Sequence, residues 1–181
     1  MASAAATNDD ATKQLRATIE ATVRSCLSAH RDGAISRDAS TVSRGLAASC
    51  TRAIVPGSFA RSLGLQPADL AAMPNDAYVG QFAKDLEVSA VTRTDVLDLT
   101  IDLGLGGGPD SYPRVAARTD NTATTSDGQE FTLEFAWFFD LSRDGREVTR
   151  VVEFVDPVEA GRFQERVEAL YAEKQKEKEK A

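Results

Sequence analysis

The sequence predicts an α+β fold: a curved antiparallel sheet with helices on one face, followed by a C-terminal helix. Three observations predict it. Apolar residues recur at helical spacing as far as Leu86. From Val88 the period changes to long β-branched stretches separated by turn residues. The chain then presents a helix start, Asp156-Pro157-Val158-Glu159, with an apolar face after it. Helices, then successive strands, then a helix is an α+β order, with helices on one face of the sheet. At 181 residues the chain is long enough for one domain with its own core.

Residues 1–10 are expected to be a disordered start, small and polar without pattern. Asn8-Asp9-Asp10 can open a helix, with acid near its positive end. Leu15, Ile19, Val23, Cys26, Leu27 and His30 then form one apolar stripe, and Gly33 is a natural stop. A shorter helix is expected from Asp38 to Ala48. "CTRAIVPGSF", Cys50 to Phe59, reads as a short strand ending at Pro56. Pro67 can open one helical turn and Pro74 a longer helix, with Tyr78, Phe82 and Leu86 on its buried face.

Val88–Leu103 reads as a long, bent strand, and Gly104–Pro113 as a loop. Arg114–Thr125 is a second strand, Ser126-Asp127-Gly128 a turn and Phe131–Leu141 a third strand. Arg143-Asp144-Gly145 makes a hairpin turn into Glu147–Val155. In the third strand Phe131, Leu133, Phe135, Trp137, Phe139 and Leu141 share one side. Thr132, Glu134, Ala136, Phe138 and Asp140 share the other, a half-apolar face that suits a partner sheet or a dimer contact. Residues 11–172 are expected to form one domain, and 173–181 a charged, fraying tail.

Composition narrows the function. The net charge is -7, and binding nucleic acid or an anionic membrane surface needs clustered Lys and Arg. The first residues lack the basic and apolar regions of a secretory signal, and no apolar run is long enough to span a membrane. The two cysteines, Cys26 and Cys50, are too few for a disulfide scaffold, so a reduced pair in a cytoplasmic protein is expected. Neither has a second Cys or His at metal spacing, and no metal or cofactor is expected. "GLGGGPDS" lacks the Lys-Ser/Thr and the following helix of a phosphate loop.

"WFFDLSRDGREVTRVVEFVDP" carries a family likeness. An aromatic strand, an Asp-Gly turn, a second strand and then an acid resemble the last hairpin of the nuclear transport factor 2-like superfamily, in its SnoaL-like branch. The long helix followed by a short one, and the "CTRAIVPGSF" strand, fit as well. The resemblance spans Leu15–Val155 and is closest to uncharacterised fungal members with a C-terminal helix. It implies a cone with a pocket at its open end, and homodimers through the outer sheet face. Members include isomerases, polyketide cyclases, dehydratases and binding modules without activity, so the fold leaves function open. The scytalone dehydratase group uses two histidines where this chain has only His30. No motif matches the Tyr and acids of ketosteroid isomerase. No catalytic residue carries over from the family.

The residues themselves offer candidates. His30 has the unperturbed pKa of a general base, or is simply a favourable cation at a helix end. Glu153 and Glu134 lie in apolar strands, where burial would raise a carboxyl pKa; otherwise they face solvent. They share a face only for some hairpin registers, which the sequence leaves open. Arg52 can hold an enolate or carboxylate oxygen, or pair with an acid. Trp137, Tyr78, Phe82 and Phe59 are core residues or pocket walls, Trp137 being the best placed to stack on a planar ligand. Asp156 is explained by capping alone. The expectation is a hydrophobic pocket for a small organic molecule, with cofactor-free acid–base chemistry by His30, Glu153 and Arg52. The alternative is a non-catalytic binding or dimerisation module.

Overall fold

The computed structural model describes residues 2–105, 108 and 111–180, with side chains from Asp9 onward. The expectation for the glycine-rich loop therefore falls partly outside the described residues. Helix α1 spans Ala2–Leu27, beginning ahead of the Asn8–Asp10 start. A turn at Ser28 separates it from α2, Ala29–Ser36, so His30 stands on the second helix and not at the end of the first. Gly33 does not stop the helix, which ends where Arg37 takes φ 56°. A Cβ at Gly33 would meet Phe82 at 2.9 Å, so this glycine serves a close helix approach.

The helix expected from Asp38 to Ala48 is only a 3-10 turn, Ala39–Ser43, capped by the Asp38 side chain. Gly45, at φ 74°, then swings the chain into strand β1, Leu46–Val55. Helix α3 covers Gly57–Ser62, and Pro67–Leu70 forms the expected single turn. The short strand β2, Met73–Pro74, leads into α4, Asn75–Asp85. Strands β3, Ser89–Asp102, β4, Arg114–Thr125, β5, Glu130–Leu141, and β6, Val148–Val155, follow. Helix α5 runs Pro157–Lys178, through the stretch read as a fraying tail. Lys174 donates to the Glu87 carbonyl at 2.9 Å, and Lys178 pairs with the Glu87 carboxylate at 2.9 Å. Asp156 caps α5 as its sequence requires, accepting from the Val158 and Glu159 amides.

The six strands form one sheet in the order β2-β1-β6-β5-β4-β3. The expected sheet is antiparallel; β1 and β6, however, run parallel, because β1 is joined to the rest through helices rather than a hairpin. Strand β3 is bent, with register shifts at Val91/Arg93 and Val96/Asp98. One face of the sheet is covered by helices. Helix α1 puts Ile19 and Val23, both fully buried, against Trp137, Phe139, Leu141 and Val148. Phe59, Leu70, Phe131, Leu133 and Val155 form a second cluster, and Ala34, Val42, Phe82 and Leu86 a third. The other face is open among the described residues, leaving Phe138 and Phe154 about half exposed.

Candidate active site

The site is assembled by register and by helix spacing. In the β5–β6 hairpin Trp137 lies opposite Glu153, so Glu153 turns to the covered face with Trp137. A bulge between Asp140 and Leu141 sets this pairing. Glu134 falls on the opposite face, exposed, and lines a shallow hollow there rather than the covered side. The parallel pairing of Arg52 with Val151 and of Ile54 with Glu153 brings Arg52 beside Glu153. Tyr78, Phe82 and Asp85 are spaced by four and three on α4 and so share a face. Helix α2 presents His30 to the same region.

Arg52 Nη1 donates to Glu153 Oε1, and both side chains are almost wholly buried. Arg52 also stacks on Tyr78, its Cζ 3.7 Å from the ring centroid. The Tyr78 hydroxyl lies 2.7 Å from His30 Nε2 and 3.5 Å from Glu153 Oε2. His30 meets Phe82 edge to face, with centroids 5.1 Å apart. His30, Tyr78, Phe82 and Glu153 border a cavity of about 160 Å³. His30, Tyr78 and Glu153 are polar groups of its wall; Phe59, Phe82, Leu133, Phe135 and Phe163 supply much of the rest.

An expected wall residue, Trp137, and an expected catalytic residue, Arg52, stand elsewhere. Trp137 does not line the cavity; its indole donates to Thr119 Oγ1 at 2.8 Å and its ring stacks on Phe135. A tryptophan N–H buried in a core requires such a partner. Arg52 lies behind Tyr78 and Glu153 and does not line the cavity either. Its charge is already committed to Glu153, so it cannot serve as a free anchor for a ligand carboxylate. Asp85, Gln81 and Gln164 do line the cavity. The sequence reading missed them because each sits in a helix whose polar positions look solvated. The meeting of a tyrosine with an acid, for which no sequence motif was found, is made here by Tyr78 and Glu153.

Burial pushes His30 down to about 3, and the Arg52 charge adds to the shift. Its imidazole is therefore neutral at pH 7, and a weaker base than a free histidine. Burial, reinforced by Glu153, holds the Tyr78 phenol above its ordinary value. It stays protonated and can donate. Burial works against the Arg52 charge, but Glu153 and Tyr78 outweigh it and hold the guanidinium above its usual range. Burial lifts Asp85 to about 6. Among the described residues no three His, Cys, Asp or Glu side chains gather as a metal site. No described helix is long and apolar enough to cross a membrane.

No protein-family model and no curated protein matches the chain. Solved structures do. The BvnE pinacolase of Penicillium brevicompactum superposes at a TM-score of 0.64 with 16% identity, over 86% of this chain and 98% of its own. PrhC of Penicillium brasilianum gives 0.66 with 18% identity, over 87% and 93%. An NTF2-like protein of unknown function from Burkholderia pseudomallei gives 0.50 with 16% identity, over 81% and 96%. At such identities the likeness is one of fold, and it agrees with the bent sheet, the covering helices and the C-terminal helix seen here: the chain has the nuclear transport factor 2-like fold.

Proposed function

We propose that the protein is a cofactor-free enzyme that moves a proton on a small, uncharged organic molecule held in this cavity, as in isomerisation, cyclisation or dehydration. The observation that carries this reading is the Tyr78 hydroxyl, set between His30 and Glu153 in a cavity whose wall also holds Phe59, Phe82, Leu133 and Phe135. Convergent polar groups in an apolar cavity are the usual mark of a reacting site. A non-catalytic module would fill the same space with Phe and Trp, whereas Trp137 is turned into the core.

Each group has a role fixed by its partners. Glu153 spends Oε1 on Arg52, which leaves Oε2 on the Tyr78 side to take a proton. Tyr78 donates its hydroxyl to the ligand oxygen on which negative charge develops. His30, neutral, holds the phenol in place. Arg52 keeps the carboxylate paired and never reaches the ligand. A charged ligand would bring a second, uncompensated charge into a buried site, which is costly. The pinacolase among the structural neighbours is in keeping with small-molecule chemistry on this fold. The half-exposed Phe138 and Phe154 support a homodimer through the outer sheet face.

Deuterium uptake from heavy water into cyclohexanone and related cyclic ketones tests the reading without knowledge of the natural substrate. Uptake above the buffer rate is expected, falling about 100-fold in Tyr78→Phe, as for loss of one oxyanion donor. Glu153→Gln should abolish it. Ketones that neither bind nor exchange, or exchange untouched by Tyr78→Phe, would sink the proposal.

A further inference from the structure

The cavity does not end at α4. A second hollow, of about 230 Å³, is walled by Lys84, Val167, Glu168 and Tyr171 together with Gln81, Asp85 and Gln164. The last three also line the inner cavity. The two hollows thus meet at three polar side chains between α4 and α5. The inner chamber alone is about the size that takes a benzene ring, since an engineered cavity of about 150 Å³ does so.

We propose that the two hollows join across this waist into one channel that holds one elongated, uncharged ligand, and that Asp85 at the waist touches it as a second proton-transfer residue. The proposal rests on the acid–base reading above and adds to it a substrate class and a residue. Length follows from the two chambers sharing one waist. Absence of charge follows from the compensated Arg52–Glu153 pair at the deep end. An apolar body follows from Phe59, Phe82, Leu133 and Phe163 inside and Val167 and Tyr171 outside.

Asp85 is built for contact with a ligand. Its Oδ1 accepts from Gln81 Nε2 at 3.0 Å, and Oδ2 has no hydrogen-bond partner among the described residues. The groups facing it are Tyr78, Gln81 and Lys84 on its own helix, Gln164, Glu168 and Tyr171 on α5, and Ser89 at the start of β3. Ser89 donates to the Asp85 carbonyl at 2.8 Å and leaves the carboxyl alone. Burial raises the carboxyl, Gln81 and Lys84 pull it down and Glu168 raises it again, for a value of about 6. Asp85 thus populates both forms near neutral pH, which neither the neutral His30 nor the protonated Tyr78 does.

The step balances. Glu153 Oε2 takes the proton from the carbon beside the ligand carbonyl. The C–H electron pair becomes the enol double bond, and the carbonyl pair closes onto oxygen under the Tyr78 hydroxyl. Asp85 in its acid form then returns a proton to that carbon as the carbonyl re-forms. Asp85 is left ionised and Glu153 protonated; water at the channel mouth supplies one proton and removes the other.

The test uses the whole protein with cyclohexanone and its 4-methyl, 4-butyl and 4-heptyl derivatives. Calorimetry should show affinity rising along the series, about fourfold per buried methylene, past the length that the inner chamber holds. Val167→Trp should weaken the heptyl compound and spare the methyl one. Deuterium uptake should fall as pH rises through about 6, where Asp85 loses its proton. Asp85→Asn should remove that limb and slow uptake about 100-fold below it. A limb that persists in Asp85→Asn, or an affinity that stops rising beyond the methyl compound, overturns the proposal while the acid–base reading stands. Absence of ketone binding, or exchange indifferent to Tyr78→Phe, removes both.

Discussion

Strand β5 builds two very different interiors from one alternating pattern. Its Trp137–Leu141 half packs under α1, where Ile19, Val23, Phe139 and Leu141 are all 2% exposed or less. Its Phe131–Phe135 half faces the ends of α3, α4 and α5 and borders a cavity. Period-2 alternation assigns a side chain to the covered face in both halves. Whether that face is filled depends on what lies over it. A continuous helix carrying branched residues fills its half to the density of a core. Several helix ends cannot close over the other half, and they deliver Tyr78, His30 and Asp85 to the gap. His30, Tyr78 and Glu153 meet where packing is incomplete.

Four changes would break or sharpen this contrast. Arg52→Leu leaves the Glu153 carboxylate buried and unpaired, and should cost about 3–5 kcal/mol in urea unfolding. The double variant Arg52→Leu, Glu153→Leu should recover much of that stability yet show no deuterium uptake, separating the pair's structural part from its chemical one. Ile19→Ala opens a void in the filled half and should cost about 2–5 kcal/mol. Leu133→Ala, beside an existing cavity, should cost clearly less; equal losses would mean that the two halves are packed alike.

The pH dependence of stability separates the deep end of the cavity from its waist. His30 has a folded value of about 3, below its ordinary 6.5. Below pH 6.5 the unfolded chain takes a proton that the folded chain refuses, so stability falls as pH drops toward 3. Asp85 is raised to about 6 from 3.8, so the folded chain binds its proton first. Its contribution runs the other way, stability rising as pH falls from 6 toward 3.8. From pH 7 to 5 the His30 loss is roughly 2 kcal/mol and the Asp85 gain roughly 1 kcal/mol. Denaturant midpoints should therefore change little in the parent protein over this range. They should drop more steeply in Asp85→Asn and rise with acid in His30→Gln. The smallest effect is expected outside both halves: Asp156→Ala removes the α5 cap for about 1 kcal/mol and should leave ketone affinity unchanged.

The fold was legible because its signals are local. Strand β4 begins and ends where its pattern does, at Arg114 and Thr125. The Asp156-Pro157 start of α5 and the Gly145 turn, at φ 71°, need only a few neighbouring residues to be read. The errors also have local causes. Gly33 reads as a stop until Phe82 is seen against it, and Asp38–Ala48 reads as a helix until Gly45 is seen to turn the chain into β1.

What the sequence determined alone is thus the run of helices, then strands, then a helix, the covered side of β5, and the Asp156 cap that begins α5. Tertiary structure decided the rest. The bulge between Asp140 and Leu141 sends Glu153 inward and Glu134 outward, the parallel β1–β6 pairing seats Arg52 beside Glu153, and α4 carries Tyr78 and Asp85 to the cavity. His30 meets Tyr78 across 48 residues of chain, and Arg52 meets Glu153 across 101. Periodicity and capping act over one or two turns of chain, whereas these contacts exist only once the sheet has chosen its register and the helices have docked on it.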